Sequence, residues 1–302
     1  MLGLGETPLS TLLTQFERAE RAGFESVWVP NIFNYDALTL LALAGQVTKT
    51  ITLGTAVVPT YPRHPTTMAQ QVLSVQAATA NRLVLGIGLS HKFVIEQFMG
   101  LDYSRPIRHM REYVSVLTQL LTGQPTHFVG ETYRVEMQIT VPNATPPPVL
   151  LAALGPQMLK IAGSLAGGTI TWMGGPSYLK NTVVPIITEA GRNASGSARI
   201  VAGFPIAMTP KPDAARAAAS RVFAGYAAIP SYRAVLDIEG AVDAADIALV
   251  GTEVDIEDQL DQLAAIGVTD LFGVLYDFQE DLEVGDRTFQ FLASLAKSGK
   301  YA

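Results

Sequence analysis

The chain has 302 residues, 48% of them hydrophobic and 16% charged, enough apolar surface to offset the entropy of ordering, which excludes a disordered protein. Lys and Arg total 21 against 27 Asp and Glu, a net charge of −6, so the overall field favours neither nucleic acid nor an anionic membrane, and the expected partner is a small molecule. No Cys is present, which excludes disulfides, thiolate metal sites and a cysteine nucleophile, and the four His residues form no i, i+4 pair, so no metal is expected.

No apolar run approaches the ~20 residues that cross a bilayer, and the N-terminus lacks a basic stretch leading into an apolar one, so a cytoplasmic protein is expected. Met1 to Leu4 reads as a short first strand. Pro8 to Ala22 places Leu9, Leu12, Leu13, Phe16 and Ala19 at helical spacing and is followed by the β-rich run Ser26 to Val29. The step repeats. Ala37 to Val47 reads as helix before the strand Ile51 to Val58, and Thr66 to Ala80 before Leu83 to Ile87. Met158 to Leu165 precedes Thr169 to Met173, Tyr178 to Ala190 precedes Ile200 to Met208, and Ile256 to Ile266 precedes Asp270 to Leu275. The strands are nearly continuous apolar runs, the pattern of parallel strands covered on both faces. Gly23 and Gly267 stand where a left-handed residue turns a helix into the next strand.

With Met1 to Leu4 as first strand and Val149 to Ala152 as fifth, eight strand-helix units are counted, which predicts the α/β class and a (β/α)8 TIM barrel, one domain over 1–302. Two stretches read as insertions, with roles as lids or dimer contacts. One is 122–147, two β-rich runs about Gly130-Glu131 that predict a hairpin, and the other is 227–250.

In such a barrel the site lies at the C-terminal strand ends: Pro30-Asn31, Ala56 to Thr60, Gly88 to His91, Ala153 to Gly155, Trp172 to Gly175, Met208-Thr209 and Tyr276-Asp277. Only Asp277 is a clear strand-end acid, which argues against the carboxyl pair of a glycosidase, and only Lys92 is near enough to be considered for a Schiff base. Walls of Trp172, Met173, Met208 and Tyr276 among glycines and alanines suit a planar ring whose own electronics carry the reaction, pointing to flavin-like redox chemistry. Gly86-x-Gly88 has His91 where a dinucleotide loop needs its third glycine.

Ala22 to Trp28, Leu53 to Pro65 (Leu-Gly-Thr-Ala-Val-Val-Pro-Thr-Tyr-Pro-Arg-His-Pro), Leu83 to His91, and Gly123 to Arg134 with its Phe-x-Gly-x-x-Tyr-Arg core resemble the bacterial luciferase-like superfamily. Asn34 to Leu38 and Arg105 to Glu112 resemble its actinobacterial branch that uses the deazaflavin coenzyme F420. The resemblance implies a TIM barrel, a homodimer, and hydride transfer between coenzyme F420 and a small organic substrate. An FMN-dependent monooxygenase is the alternative within the superfamily, and a non-catalytic deazaflavin- or flavin-binding protein is the alternative from another class.

The expected cofactor contacts are Asn31, Ala56, Val57, Thr60, Gly88, Leu89, Ser90, His91, Ala153, Gly155, Pro156, Gln157, Trp172, Met173 and Gly174. His91 and Asn31 are the catalytic candidates. His91 would exchange a proton near neutrality or polarise a carbonyl, against the reading of a rim histidine, and Asn31 would bond a ring or substrate oxygen, against that of a turn residue. The resemblance also implies a cis peptide between Ala56 and Val57, a bulge behind the coenzyme's central ring. That coenzyme has a phosphate, assigned to the helix start at Gly155-Pro156-Gln157, and an acidic glutamyl tail, with Arg63, His64 and Lys180 as contacts. Arg105, Arg108 and Arg111 read either as a solvated, ion-paired helix face with Glu112 or as an anion-binding rim. Two departures stand out: Pro30-Asn31 replaces a common Asp-His, and His91 replaces a Glu.

Overall fold

The computed structural model describes residues 7–192 and 198–301, so the expected strand Met1 to Leu4 lies outside the described residues. The strands are β1 (Ser26–Val29), β2 (Thr52–Thr55), β3 (Val58–Pro59), β4 (Leu83–Gly88), β5 (Thr126–Val129), β6 (Arg134–Met137), β7 (Val149–Ala152), β8 (Gly168–Trp172), β9 (Arg199–Met208), β10 (Leu249–Gly251) and β11 (Asp270–Leu275). Apart from the β5–β6 hairpin they form one parallel sheet in the order β1-β2-β4-β7-β8-β9, with β3 continuing the line of β2 along β4. β11 pairs with the far edge of β9 over Val201 to Ile206, while β10 extends the β8 side at Ile206 to Met208. Trp28 of β1 and Phe272 of β11, from opposite ends of this order, approach with ring centroids 6.3 Å apart. The sheet is therefore curled into a TIM-like barrel, nearly closed by the described strands.

Helices coat its outside, among them α1 (Leu9–Arg21), α2 (Ala37–Val47), α3 (Pro65–Ala78), α4 (Pro106–Leu121) and α5 (Pro156–Leu165). Their apolar stripes, with Leu12, Phe16, Leu41, Met68 and Leu117 fully buried, pack against the outward strand residues. Gly23 and Gly267 adopt the expected left-handed φ of 87° and 110°. The helix expected over 178–190 is broken into Pro176–Tyr178, a wide π turn at Leu179–Val183 and Val184–Ala190. Pro185 lacks the N–H that an unbroken helix would need there.

Polar side chains staple the turn that leads from α2 into β2. Glu20 accepts from the backbone N–H groups of Lys49, Thr50 and Ile51 at 2.7–3.0 Å. Arg82 donates to the carbonyls of Gly45, Thr48 and Ile51. The insertion at 122–147 is the expected hairpin, and that at 227–250 consists of the helices Pro230–Glu239 and Ala244–Ile247 leading into β10.

Inside the barrel six strands each give one residue to fill the cross-section: Trp28, Val84, Leu150, Ile170, Val201 and Phe272. Two large aromatic rings fit only because glycines face them. A Cβ on Gly54 would overlap the Trp28 ring, and one on Gly203 would overlap Phe272. Gly203→Ala should therefore cost about 1–3 kcal/mol in denaturant unfolding, the usual range for overpacking, and Phe272→Leu in the same chain should recover part of the loss. Additive losses would refute the steric explanation.

Candidate active site

The strand expected over 51–58 is interrupted. Gly54 pairs with Val84 and Val58 with Ile87, so Thr55, Ala56 and Val57 stand opposite only Leu85 and Gly86, a one-residue bulge. The Ala56–Val57 peptide is cis, as the resemblance implies. Thr55 secures the bulge: its hydroxyl donates to the Gly86 carbonyl and accepts from the Gly86 N–H, both at 2.8 Å. Gly88 makes room beside it, since a Cβ there would sit 2.8 Å from Val57 Cγ2 and 3.0 Å from Ala152 Cβ.

Above this bulge lies a cleft of ≈ 560 Å³ at the strand ends. Eleven of the expected contacts line it: Ala56, Val57, Gly88, Leu89, Ser90, His91, Ala153, Gly155, Pro156, Gln157 and Trp172. Trp172 and Phe272, stacked at 16° with centroids 6.1 Å apart, close one end. Gly155 caps α5 with its side-chain position open, and the first-turn N–H groups of that helix have no intrahelical acceptors. Among the described residues the lining contains no Asp, Glu, Lys or Arg.

Four expected contacts are elsewhere. Asn31 Oδ1 accepts from the N–H of Ala37 at 3.0 Å, which spends that oxygen on the start of α2, and the residue does not line the cleft. Thr60 is fully buried and its hydroxyl shares a hydrogen bond with His109 Nε2 at 2.9 Å. Met173 turns at φ 61° into a separate cluster with Phe223 and Leu236, because the backbone reverses just after Trp172. Gly174 is packed against the Tyr178 ring. Two proposed wall residues, Met208 and Tyr276, also lie outside the lining, the Tyr276 hydroxyl being tied to the Ala215 carbonyl.

The anchors proposed for an acidic tail are largely spent: Arg63 is paired with Asp36, and His64 accepts from Thr66 N–H at the start of α3. Lys180, exposed, does not line the cleft either.

Sequence reasoning missed Tyr103, Pro106, Ile107, Ser231, Tyr232 and Phe272, all of which line the cleft. Tyr232 arrives from the helical insertion, where no strand-end rule could find it, and its ring lies 5.7 Å from that of His91. Phe272 was legible, since it sits on an inward position of a predicted strand. Burial pushes the His91 pKa below the usual histidine value, so the imidazole is neutral at pH 7.

Behind Tyr103 lies an aromatic cluster. Tyr61 stacks on Tyr103 at 5.1 Å and on His109 at 4.0 Å, and His109 Nδ1 shares a hydrogen bond with the Tyr133 hydroxyl at 3.2 Å. Burial holds His109 down to about 4, against an upward pull from Glu112.

Residues 1–270 match the family described as luciferase-like monooxygenase. The chain belongs to that family. The 5,10-methylenetetrahydromethanopterin reductase of Archaeoglobus fulgidus is 28% identical over 219 residues, a match spanning 64% of this chain and 65% of that reductase, just under two thirds of its length. Among solved structures, the coenzyme F420-dependent tetrahydromethanopterin reductase of Methanopyrus kandleri superposes with a TM-score of 0.78 at 21% identity, covering 95% of this chain and 94% of that one. The oxygenating constituent of 3,6-diketocamphane monooxygenase of Pseudomonas putida, a complex with FMN, gives 0.73 at 14% identity over 97% and 94%. At these identities the two structures establish the fold, and the barrel is that of the family.

Because His109 is held near 4 in the folded chain while an unfolded histidine titrates near 6.5, the unfolded state takes up the proton first as pH falls. This contribution to stability is complete above about pH 6.5 and is lost between there and about 4, on the order of 2–3 kcal/mol. Unfolding in denaturant at pH 7.5, 5.5 and 4.5 should show that loss in the wild-type chain and a smaller one in His109→Gln. Identical pH slopes in the two proteins would remove His109 from the acid response.

Proposed function

We propose that this protein is a coenzyme F420-dependent oxidoreductase that transfers a hydride between the deazaflavin and a small organic substrate. The observation that carries the reading is the cleft: a charge-free slot over the Ala56–Val57 bulge, with the open N-terminus of α5 at its side. The residues present fit the group. Ala56, Val57, Gly88 and Ala152 offer a small-residue surface for a ring, and Gly155 and Gln157 offer backbone N–H groups to a phosphate. When bound, the deazaflavin would supply the carbon that gives or takes the hydride. The chain's part is alignment and exclusion of water by the walls around Trp172, Phe272 and Tyr232. His91, neutral and beside Tyr232, is placed to donate a hydrogen bond to a substrate oxygen rather than to store a proton. The naming of the Methanopyrus kandleri reductase as coenzyme F420-dependent supports the choice of coenzyme.

Fluorescence titration of the purified protein should give tighter binding of the deazaflavin than of FMN, and Gly155→Val should weaken it at least tenfold with the folded fraction unchanged. Tighter FMN binding with oxygen consumption would move the protein to the monooxygenase reading. Firm deazaflavin binding without turnover across alcohols, aldehydes and ketones would leave a coenzyme-binding protein. Undiminished affinity in Gly155→Val would overturn the phosphate assignment alone.

His91→Ala should lower turnover roughly a hundred- to thousandfold, the range for removing one preorganised donor to a developing oxyanion. Since burial depresses its pKa, the wild-type rate should show no histidine limb between pH 6.5 and 8, in place of the proton exchange near neutrality expected from the sequence. A wild-type rate in His91→Ala would reduce the residue to a wall of the cleft.

A further inference from the structure

The start of α4 carries the only dense cationic cluster that borders the cleft among the described residues. Arg105, Arg108 and Arg111, with Pro106 and Ile107, line an open groove of ≈ 460 Å³. Pro106 and Ile107 line the cleft as well, so the two hollows share a wall. The α5 start assigned to phosphate lines that same cleft, and α4 packs beside α5.

The groove's charges do not cancel. Both oxygens of Glu112 are engaged by the backbone N–H groups of Glu131, Thr132 and Tyr133 at 2.8–3.0 Å. Glu131 is in contact with Arg108 and lies 3.7 Å from Arg105, so one exposed carboxylate serves two guanidiniums. Arg111 is exposed and forms no ion pair among the described residues. A cationic groove opening from a neutral cleft, on a chain of net charge −6, is the local exception that an anionic ligand needs. The first-turn N–H groups of α4, behind Pro106, add to the same field.

We propose that this groove binds the acidic tail of the coenzyme whose ring and phosphate occupy the cleft. A chain of carboxylates leaves the α5 start, crosses Pro106 and Ile107, and meets Arg108, Arg111 and Arg105, displacing Glu131. The proposal rests on the reading of the cleft as a deazaflavin site and replaces Arg63, His64 and Lys180 as tail contacts.

The test is fluorescence titration of the full chain with deazaflavin coenzyme bearing no glutamate and with coenzyme bearing several. At low salt the tail-bearing form should bind about three- to tenfold tighter, as expected for a few exposed ion pairs, and the advantage should fade near 0.5 M salt. Arg108→Gln with Arg111→Gln should remove the advantage and leave the affinity for the tail-less form unchanged. Glu131→Gln, which removes the competing carboxylate and keeps its backbone N–H, should enlarge it. Equal wild-type affinities for the two forms would overturn the tail groove and leave the coenzyme reading standing. An advantage that survives in the arginine variant would place the tail elsewhere, and failure of both forms to bind would overturn the reading together with the proposal.

Discussion

The interior of a barrel of parallel strands has to be filled by side chains, and the way this chain fills it decides where anything else can bind. Along β4 the inward positions are Val84, Gly86 and Gly88, a side chain followed by none. The missing volume is taken at Gly86 by the Thr55 carbonyl and at Gly88 by Val57. Lower down, Trp28 and Phe272 fill the barrel against Gly54 and Gly203. A dense plug therefore gives way, within two residues of strand, to a flat surface of small groups. The cleft is the consequence of running out of inward side chains at the strand ends.

Polar interactions divide along the same axis. Arg82 and Glu20 spend their charges on backbone groups at the turn entering β2, where fixed geometry is wanted. At the opposite mouth the lining is neutral, and cations are set back to α4. Ion pairs in the open contribute little to stability, which leaves Arg105, Arg108 and Arg111 available for a ligand at small structural cost.

Much of this was legible because the barrel imposes a strict period on the chain. Short apolar runs, with Gly23 and Gly267 ending two of the helices, located the strands, and strand ends located eleven of the lining residues. Asn31 and Thr60 were expected in the cleft and lie outside it for one reason: both stand at strand ends but turn their polar atoms to the scaffold, Asn31 to Ala37 and Thr60 to His109. Sequence position specifies where a Cα sits and says nothing of which polar neighbour a side chain finds. Met173 failed through one backbone torsion, a left-handed residue that is not glycine. Tyr232 lay beyond reach altogether, since an insertion is free of the repeat that makes the rest predictable.

The insertions change what the conserved architecture of a barrel can offer, and they do so from opposite sides. The helical one sets Tyr232 against His91, adding an aromatic wall beside an imidazole whose pKa burial lowers. The hairpin is anchored by Glu112 under its turn and by Tyr133 on His109, and it delivers Glu131 to the arginines of α4. One insertion therefore acts on the uncharged reaction space and the other on the charged approach to it. Under the proposed function this separation has a physical basis. Hydride transfer is favoured by a dry, neutral enclosure, in which a nearby uncompensated charge would bias the ring, whereas an acidic tail is best held by cations still in contact with solvent. Keeping the two apart lets the tail set affinity without disturbing the electrostatics at the ring.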